Sequence, residues 1–230
     1  MDTLSYRHEL KFLCEERQLY FMEHKIRHIC RRDSHAGVAG IYSIKSLYFD
    51  TFDDKCYYEN QDGVDDRKKY RIRIYNNDPD VIKLECKYAR RGMKAKESCE
   101  ISRQQYDCLT GSTLPICGEQ QGLTGRFLAE RSMELLVPKV IVAYERTPYV
   151  FPAGNVRITF DRGIRSSYLV ADFLEKDTAY RSILPENMHI LEVKYDEVLP
   201  AAIQELLTAG QELRRTSFSK YALCRECGMR

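Results

Sequence analysis

Charged and apolar residues alternate at every second position in five segments of the chain: Arg7-Glu9-Lys11, Arg71-Arg73, Lys83-Glu85-Lys87, Arg157-Thr159-Asp161 and Glu192-Lys194. This alternation predicts half-buried strands, because successive side chains of a strand point to opposite faces of the sheet. The polar face is mostly basic, with a glutamate in three of the five segments. A solvated face would mix Ser, Thr, Gln and charges of both signs. Cations repeated over several strands point instead to one highly anionic target, such as a polyphosphate or a nucleoside triphosphate. The glutamates offer oxygen ligands for a metal.

The rest of the chain supplies the frame. Residues 3–12 read as a strand, and Cys14–Arg31 as an amphipathic helix with Leu19, Met22, Ile26 and Ile29 inward. Ile41–Thr51 is strand-like and Phe52–Asn60 a short helix; Lys68–Tyr75 and Val81–Tyr88 form a hairpin around Asn76-Asn77-Asp78-Pro79. Ala89–Gly92 is a loop, Lys94–Ser102 a strand, and Ser102 an N-cap for a helix reaching Cys108. Gly118–Leu136 is mostly helical, Lys139–Phe151 a strand opened by Pro138, and Val156–Asp161 a strand followed by a basic link, Arg162–Ser167. A late strand, Asn187–Tyr195, precedes a helix from about Pro200 to Ala209 and a helical C-terminal segment. Strands joined by hairpins, with helices between the groups, predict an α+β fold with an antiparallel sheet. About eight strands charged on one face fit a β-barrel with surrounding helices, its interior a basic tunnel; the alternation alone fits an open sheet equally.

Length and composition narrow the picture. At 230 residues with 43% apolar and 30% charged residues, the chain reads as one domain, 1–230, with a real core. The net charge is only +2, so an anion site must come from local arrangement of charge. MDTLSYRHELKF lacks an apolar signal core, and no segment approaches the roughly 20 apolar residues of a spanning helix. A cytoplasmic protein with reduced thiols is expected. Cys224 and Cys227 form a CxxC that no second pair completes, so free thiols are expected there as well. The chain has no GxxxxGK[ST], GxGxxG or HExxH, and its five histidines show no metal-ligand pattern.

Arg71 and Arg73 project from one strand face about 7 Å apart, a spacing that suits neighbouring phosphates. Lys83, Glu85 and Lys87 give a second strand of this kind, and Lys94 and Lys96 a third. Arg146 and Arg157 extend the cationic set, and Glu192 beside Lys194 places a carboxylate within it. Each of these also fits a salt-bridged sheet face, and Glu192 fits a structural ion pair as well as it fits an oxygen ligand for Mg²⁺ or Mn²⁺.

RHELKF, SLYFDT, KKYRIRIY, IKLECKY, AYERTPYVF, VRITFDRGI, ILEVKY and SFSKYALC follow one another in an order that resembles the VTC domain, over about residues 4 to 226. This is the polyphosphate polymerase domain of the vacuolar transporter chaperone complex and its bacterial relatives, in the triphosphate tunnel metalloenzyme superfamily. The resemblance implies an antiparallel tunnel barrel in which the γ-phosphate of ATP passes to a growing polyphosphate chain with a divalent metal, often Mn²⁺. On matching positions it implies phosphate contacts from Lys11, Arg71, Arg73, Lys87, Lys96, Arg146, Arg157 and Lys220, and a metal-binding Glu192. Glu9 and Glu85 are further carboxylate candidates, and Lys83 and Lys194 further cations for the bound nucleotide. Ser217 stands where the family has a basic residue, and neither the regulatory SPX domain nor the membrane helices of the eukaryotic complexes is seen. A separately encoded membrane partner is compatible with that.

Three alternatives are open at this level. The first is another tunnel enzyme: an inorganic or thiamine triphosphatase, or a class IV adenylate cyclase. Those carry ExExK where this chain has Arg7-His8-Glu9-Leu10-Lys11. The second is a non-catalytic module that binds polyphosphate or nucleotide. The third, a nucleic-acid binder, is opposed by the near-neutral charge and the recurring glutamates.

Overall fold

The protein is described by a computed structural model covering residues 4–111, 121–208 and 213–229. In chain order the elements are β1 (His8–Glu15), α1 (Glu16–Ile29), β2 (Arg31–Arg32), β3 (Tyr42–Asp50), α2 (Lys55–Gln61), β4 (Arg67–Tyr75), β5 (Asp78–Arg90) and β6 (Met93–Ile101). There follow α3 (Arg103–Thr110), α4 (Gly122–Glu134), β7 (Val137–Phe151), β8 (Val156–Ser167), β9 (Arg181–Ser182), β10 (Met188–Tyr195), α5 (Ala201–Thr208), β11 (Arg214–Arg215) and α6 (Lys220–Met229). The expected starts and ends at Thr3, Gly118 and Ala209 lie outside the described residues.

All eleven strands join one sheet in the order β11-β1-β10-β8-β7-β3-β4-β5-β6, with β2 on β7 and β9 on β8. Eight of them are long, as expected, and three are two-residue additions. The pairings are antiparallel. Among the described residues no continuous ladder closes the sheet: the backbones of β1 and β6 meet only beside β1, where Arg7 and Lys94 exchange hydrogen bonds at 2.9 Å. The strands thus curl round a cavity with a seam that is pinned at one point.

Tight turns make the curl possible. Asn76 and Asn77, both at positive φ, form the two-residue loop between Tyr75 and Asp78, the turn geometry that matches strand twist. Arg91 and Gly92 do the same between β5 and β6, and the Asp65 carboxylate accepts both of their amides at 2.8 and 3.0 Å. Apolar faces point outward under helices. Leu19, Met22 and Ile26 of α1 pack on Phe12, Phe160, Leu191 and Val193. Phe127 of α4 packs on Tyr70, Ile72 and Leu84, with Phe49 and Tyr70 in edge contact at ring separations of 4.9 and 5.0 Å.

Several expectations need correction. Arg162–Ser167 is not a link, because β8 runs through it to pair with β7. Gly163, at φ 59°, sits where the register shifts opposite Ala143 and Glu145, so this glycine makes a β-bulge rather than a loop. Ile29 is 40% exposed, at the end of α1 beyond the buried stripe. Cys108 is disulfide-bonded, whereas Cys14, Cys30, Cys56, Cys86, Cys99, Cys224 and Cys227 are free. Among the described residues no helix is long and apolar enough to cross a membrane.

Candidate functional site

The inward faces of the strands enclose a cavity of about 730 Å³. Basic side chains dominate its wall: Lys11 from β1, Lys69, Arg71 and Arg73 from β4, Lys87 from β5, Lys94 and Lys96 from β6, Arg146 from β7, Arg157 from β8, Lys194 from β10 and Lys220 at the start of α6. The carboxylates on the same wall are Glu9 and Glu192. Among the described lining residues these make two acids against fourteen Lys and Arg. The alternation that predicts half-buried strands therefore puts its charges inside.

Register decides which charges meet. Arg71 lies opposite Glu85, which sits at 0% exposure behind the wall. Arg71 Nε and Nη2 reach Glu85 Oε2 at 2.7 and 2.6 Å, Lys96 reaches Oε1 at 2.6 Å, and Arg73 stands 3.7 Å away. Burial by itself would raise the Glu85 carboxyl; Arg71, Arg73 and Lys96 overcome it and hold the group well below the usual carboxylate range. Both oxygens are thus taken, and Glu85, expected as a metal ligand, acts as the anion that fixes three cations.

A second knot lies across β1, β5 and β10. Lys87 donates to both oxygens of Glu9 at 2.9 and 3.0 Å, with Lys11 at 3.6 Å and Lys194 at 3.8 Å. Burial pushes the Glu9 carboxyl up, and Lys11 and Lys87 bring it down to about 2. Glu192, paired with Lys11 across the β1–β10 ladder, accepts from Lys194 at 2.7 Å. Its burial is likewise outweighed by Lys194, Lys220 and Lys11, which hold it well below the usual range.

The third anion is Asp161, fully buried, which accepts from Arg146 at 2.6 and 2.7 Å and from Lys220 at 2.6 Å. Arg157 reaches Asp33 at 2.8 Å. Helix α6 carries Lys220 into the cavity and is itself held from below. Tyr221 donates to Asp50, Arg225 pairs with Asp54 at 2.7 Å, and Tyr168 donates to the Cys224 carbonyl at 2.5 Å. A Cβ at Gly228 would fall 2.0 Å from the Tyr168 hydroxyl, so this approach needs glycine.

Eleven of the thirteen candidate residues line the cavity: Glu9, Lys11, Arg71, Arg73, Lys87, Lys96, Arg146, Arg157, Glu192, Lys194 and Lys220. Lys83 and Glu85 do not. Lys83 is opposite Arg73 in register but lies off the wall, its ammonium 3.9 Å from Glu100. The sequence reading placed Asp161 in the alternating segment Arg157-Thr159-Asp161 but gave it no role in the site, and it passed over Lys69, which has the parity of Arg71 and Arg73. Tyr48 and Tyr144, which hydrogen-bond Arg71 and Arg73, were missed too, because their strand-mates are apolar.

Among the described residues no group of three His, Cys, Asp or Glu side chains could hold a metal. Glu192 supplies an oxygen donor at the cavity wall, whereas Glu9 on the adjacent strand already holds Lys87 through both of its oxygens. One wall carboxylate fits Mg²⁺ or Mn²⁺ whose shell is completed by phosphate oxygens and water, not an all-protein cage.

Comparison with known proteins gives the fold its relatives. No curated protein matches the chain in sequence. An adenylate cyclase candidate from Bacillus halodurans superimposes with a TM-score of 0.52 at 16% identity, covering 89% of each chain. HpAC1 from Hippeastrum, an adenylyl cyclase candidate with a dominant triphosphatase activity, gives 0.51 at 16% identity over 96% of this chain and 95% of its own. The PH1819 protein from Pyrococcus horikoshii OT3 gives 0.50 at 15% identity over 96% and 99%. At these identities the likeness establishes the shared tunnel fold alone. The VTC domain profile, however, matches residues 6–228, nearly the entire sequence, and the chain therefore belongs to the VTC domain family.

Proposed function

We propose that the protein is a metal-dependent polyphosphate polymerase that transfers the γ-phosphate of ATP onto a polyphosphate chain inside the basic cavity. The observation that carries this reading is the excess of cations over carboxylates on one enclosed wall, in a chain whose net charge is only +2. Only a ligand with several closely spaced negative charges uses such a surface. Membership of the VTC domain family supports condensed phosphate as that ligand.

The chemistry asks for positioning and charge neutralisation rather than covalent catalysis. Arg71 and Arg73, pre-oriented by Glu85, present guanidinium forks to adjacent phosphates. Lys87, Arg146, Arg157 and Lys220 offset charge on the transferred group and its neighbours, and Lys11, Lys96 and Lys194 hold the remaining phosphates. Glu192 would hold a divalent ion, which would supply further neutralisation of phosphate oxygens. The acceptor's terminal oxygen is already anionic, so no residue need serve as general base.

Incubation with γ-labelled ATP and Mn²⁺, with products resolved on a gel, tests the reading. A ladder of labelled polymer with release of ADP is expected. Free phosphate alone would move the protein to the triphosphatases. ATP or polyphosphate bound without turnover would make it a binding module. Glu192→Gln is expected to lose metal-dependent turnover by about 100-fold while retaining nucleotide binding; full activity in that variant would remove Glu192 from the metal.

A further inference from the structure

Charge is not evenly balanced around the cavity. Arg71, Arg73 and Lys96 share Glu85; Lys87, Lys11 and Lys194 share Glu9; Arg146 and Lys220 share Asp161. One corner differs. Lys69 and Arg67 on β4 and Lys94 on β6 line the same cavity, and among the described residues none of the three forms an ion pair with a carboxylate. Lys69 donates to the Ser219 hydroxyl at 3.1 Å and Arg67 to the Val64 carbonyl. Lys11, beside them, donates to the Phe218 carbonyl at 2.9 Å. The nearest anions are engaged elsewhere: Glu9 by Lys87, and Asp65 by the amides of Arg91 and Gly92.

Burial, more than mutual repulsion, leaves its mark on these ammoniums. Burial draws the Lys69 ammonium down to about 8, with Lys11 and Arg67 adding to the effect. Burial likewise lowers Lys94, and Arg67 lowers it further. Half-buried cations in contact only with neutral acceptors are costly unless an anion arrives. At the other three knots a phosphate must share cations that already have carboxylate partners. Here it would gain ion pairs without competing for them.

We infer that Lys69, Lys94 and Arg67 form a metal-independent subsite for the terminal phosphates of a condensed phosphate chain, separate from the carboxylate-bearing wall at Glu9 and Glu192. This rests on the polymerase reading for its ligand class, and it assigns this corner to the inorganic chain rather than to the nucleotide. It also offers a physical answer to Ser217. The loop that carries Ser217 and Ser219 contributes no cation next to Lys220, and Lys69 reaches that loop from the opposite wall.

The test is calorimetric titration of tripolyphosphate in EDTA, and separately of a non-hydrolysable ATP analogue with Mn²⁺, into wild type, a Lys69→Ala/Lys94→Ala double variant, and Lys69→Arg. Wild type is expected to bind tripolyphosphate without metal. The double variant should lose about tenfold for each ammonium removed while its affinity for the Mn²⁺ nucleotide changes little, and Lys69→Arg should bind tripolyphosphate like wild type. Equal losses for both ligands, or metal-free binding that survives the double substitution, would overturn the subsite. Orthophosphate competing as well as tripolyphosphate would reduce it to a general anion site and overturn the assignment to a chain. The outcome is independent of turnover: metal-free binding lost on substitution, in an enzyme that makes only free phosphate, would keep the subsite and sink the polymerase.

Discussion

Glu85 shows how a single carboxylate organises the wall. It is fully buried, yet it is held ionised by two guanidiniums and one ammonium that would otherwise repel one another across the β4–β5–β6 ladder. Removing one member of a buried ionic group costs about 3–5 kcal/mol, because the remaining charges lose their counterion. Glu85→Gln is therefore expected to lower unfolding free energy by an amount of that order and to weaken tripolyphosphate binding, as Arg71 and Arg73 lose their alignment. An unfolding midpoint and affinity equal to wild type would show that Glu85 is dispensable. The alternation exposes Arg71, Arg73 and Glu85 as a set in the sequence. Their division of labour depends on the register that places Arg71 opposite Glu85 and Lys87 opposite Lys96, which the two-residue turns at Asn76-Asn77 and Arg91-Gly92 set together with a shift between Arg73 and Tyr75 that no residue type announces.

At the level of elements, α1 is fastened to the barrel by a polar anchor as well as by its apolar stripe. Glu23, next to Met22 and three residues before Ile26, accepts from Tyr149 of β7 at 2.8 Å, Arg162 of β8 at 2.7 Å and Arg27 of its own helix at 3.0 Å. Burial would raise its carboxyl, and the hydrogen bonds from Tyr149, Arg162 and Arg27 lower it below its ordinary 4.5. A folded-state value below the unfolded one means stabilisation that is complete above about pH 4.5 and lost as the pH falls below it. Glu23→Gln should thus be about 2–3 kcal/mol less stable than wild type at pH 7, and the gap should narrow on acidification. A gap independent of pH would deny the ionic role. The helix was legible from the spacing of Leu19, Met22 and Ile26, but this anchor was not, because Arg162 sits in a segment whose glycine and charges read as a loop. A bulge and a loop ask for the same residue, glycine at positive φ, and only the partner strand tells them apart.

For the molecule as a whole, a chain close to neutrality concentrates its cations on one concave wall and spends its acids mainly elsewhere. Low overall charge with a strongly basic interior predicts weak attachment to polyanions too wide for the cavity, and binding of slender phosphate chains that falls as salt rises. Tripolyphosphate affinity should decline steeply between low and physiological ionic strength, whereas duplex DNA should bind poorly throughout; the reverse order would place the anion surface outside the barrel. One-sided charge fits a curled sheet and an open one alike, and it is the VTC resemblance that implies the curl. The single Arg7–Lys94 pin at the seam was not foreseen, since β1 and β6 lie far apart in sequence and neither residue announces a partner. The central claim is that this cavity holds a triphosphate. A crystal structure of the protein with a non-hydrolysable ATP analogue and Mn²⁺ tests it most directly. The account predicts the triphosphate inside the barrel against Arg71, Arg73, Lys87 and Arg146, with the metal beside Glu192. A nucleotide bound on the outer face with the cavity free of phosphate would contradict it.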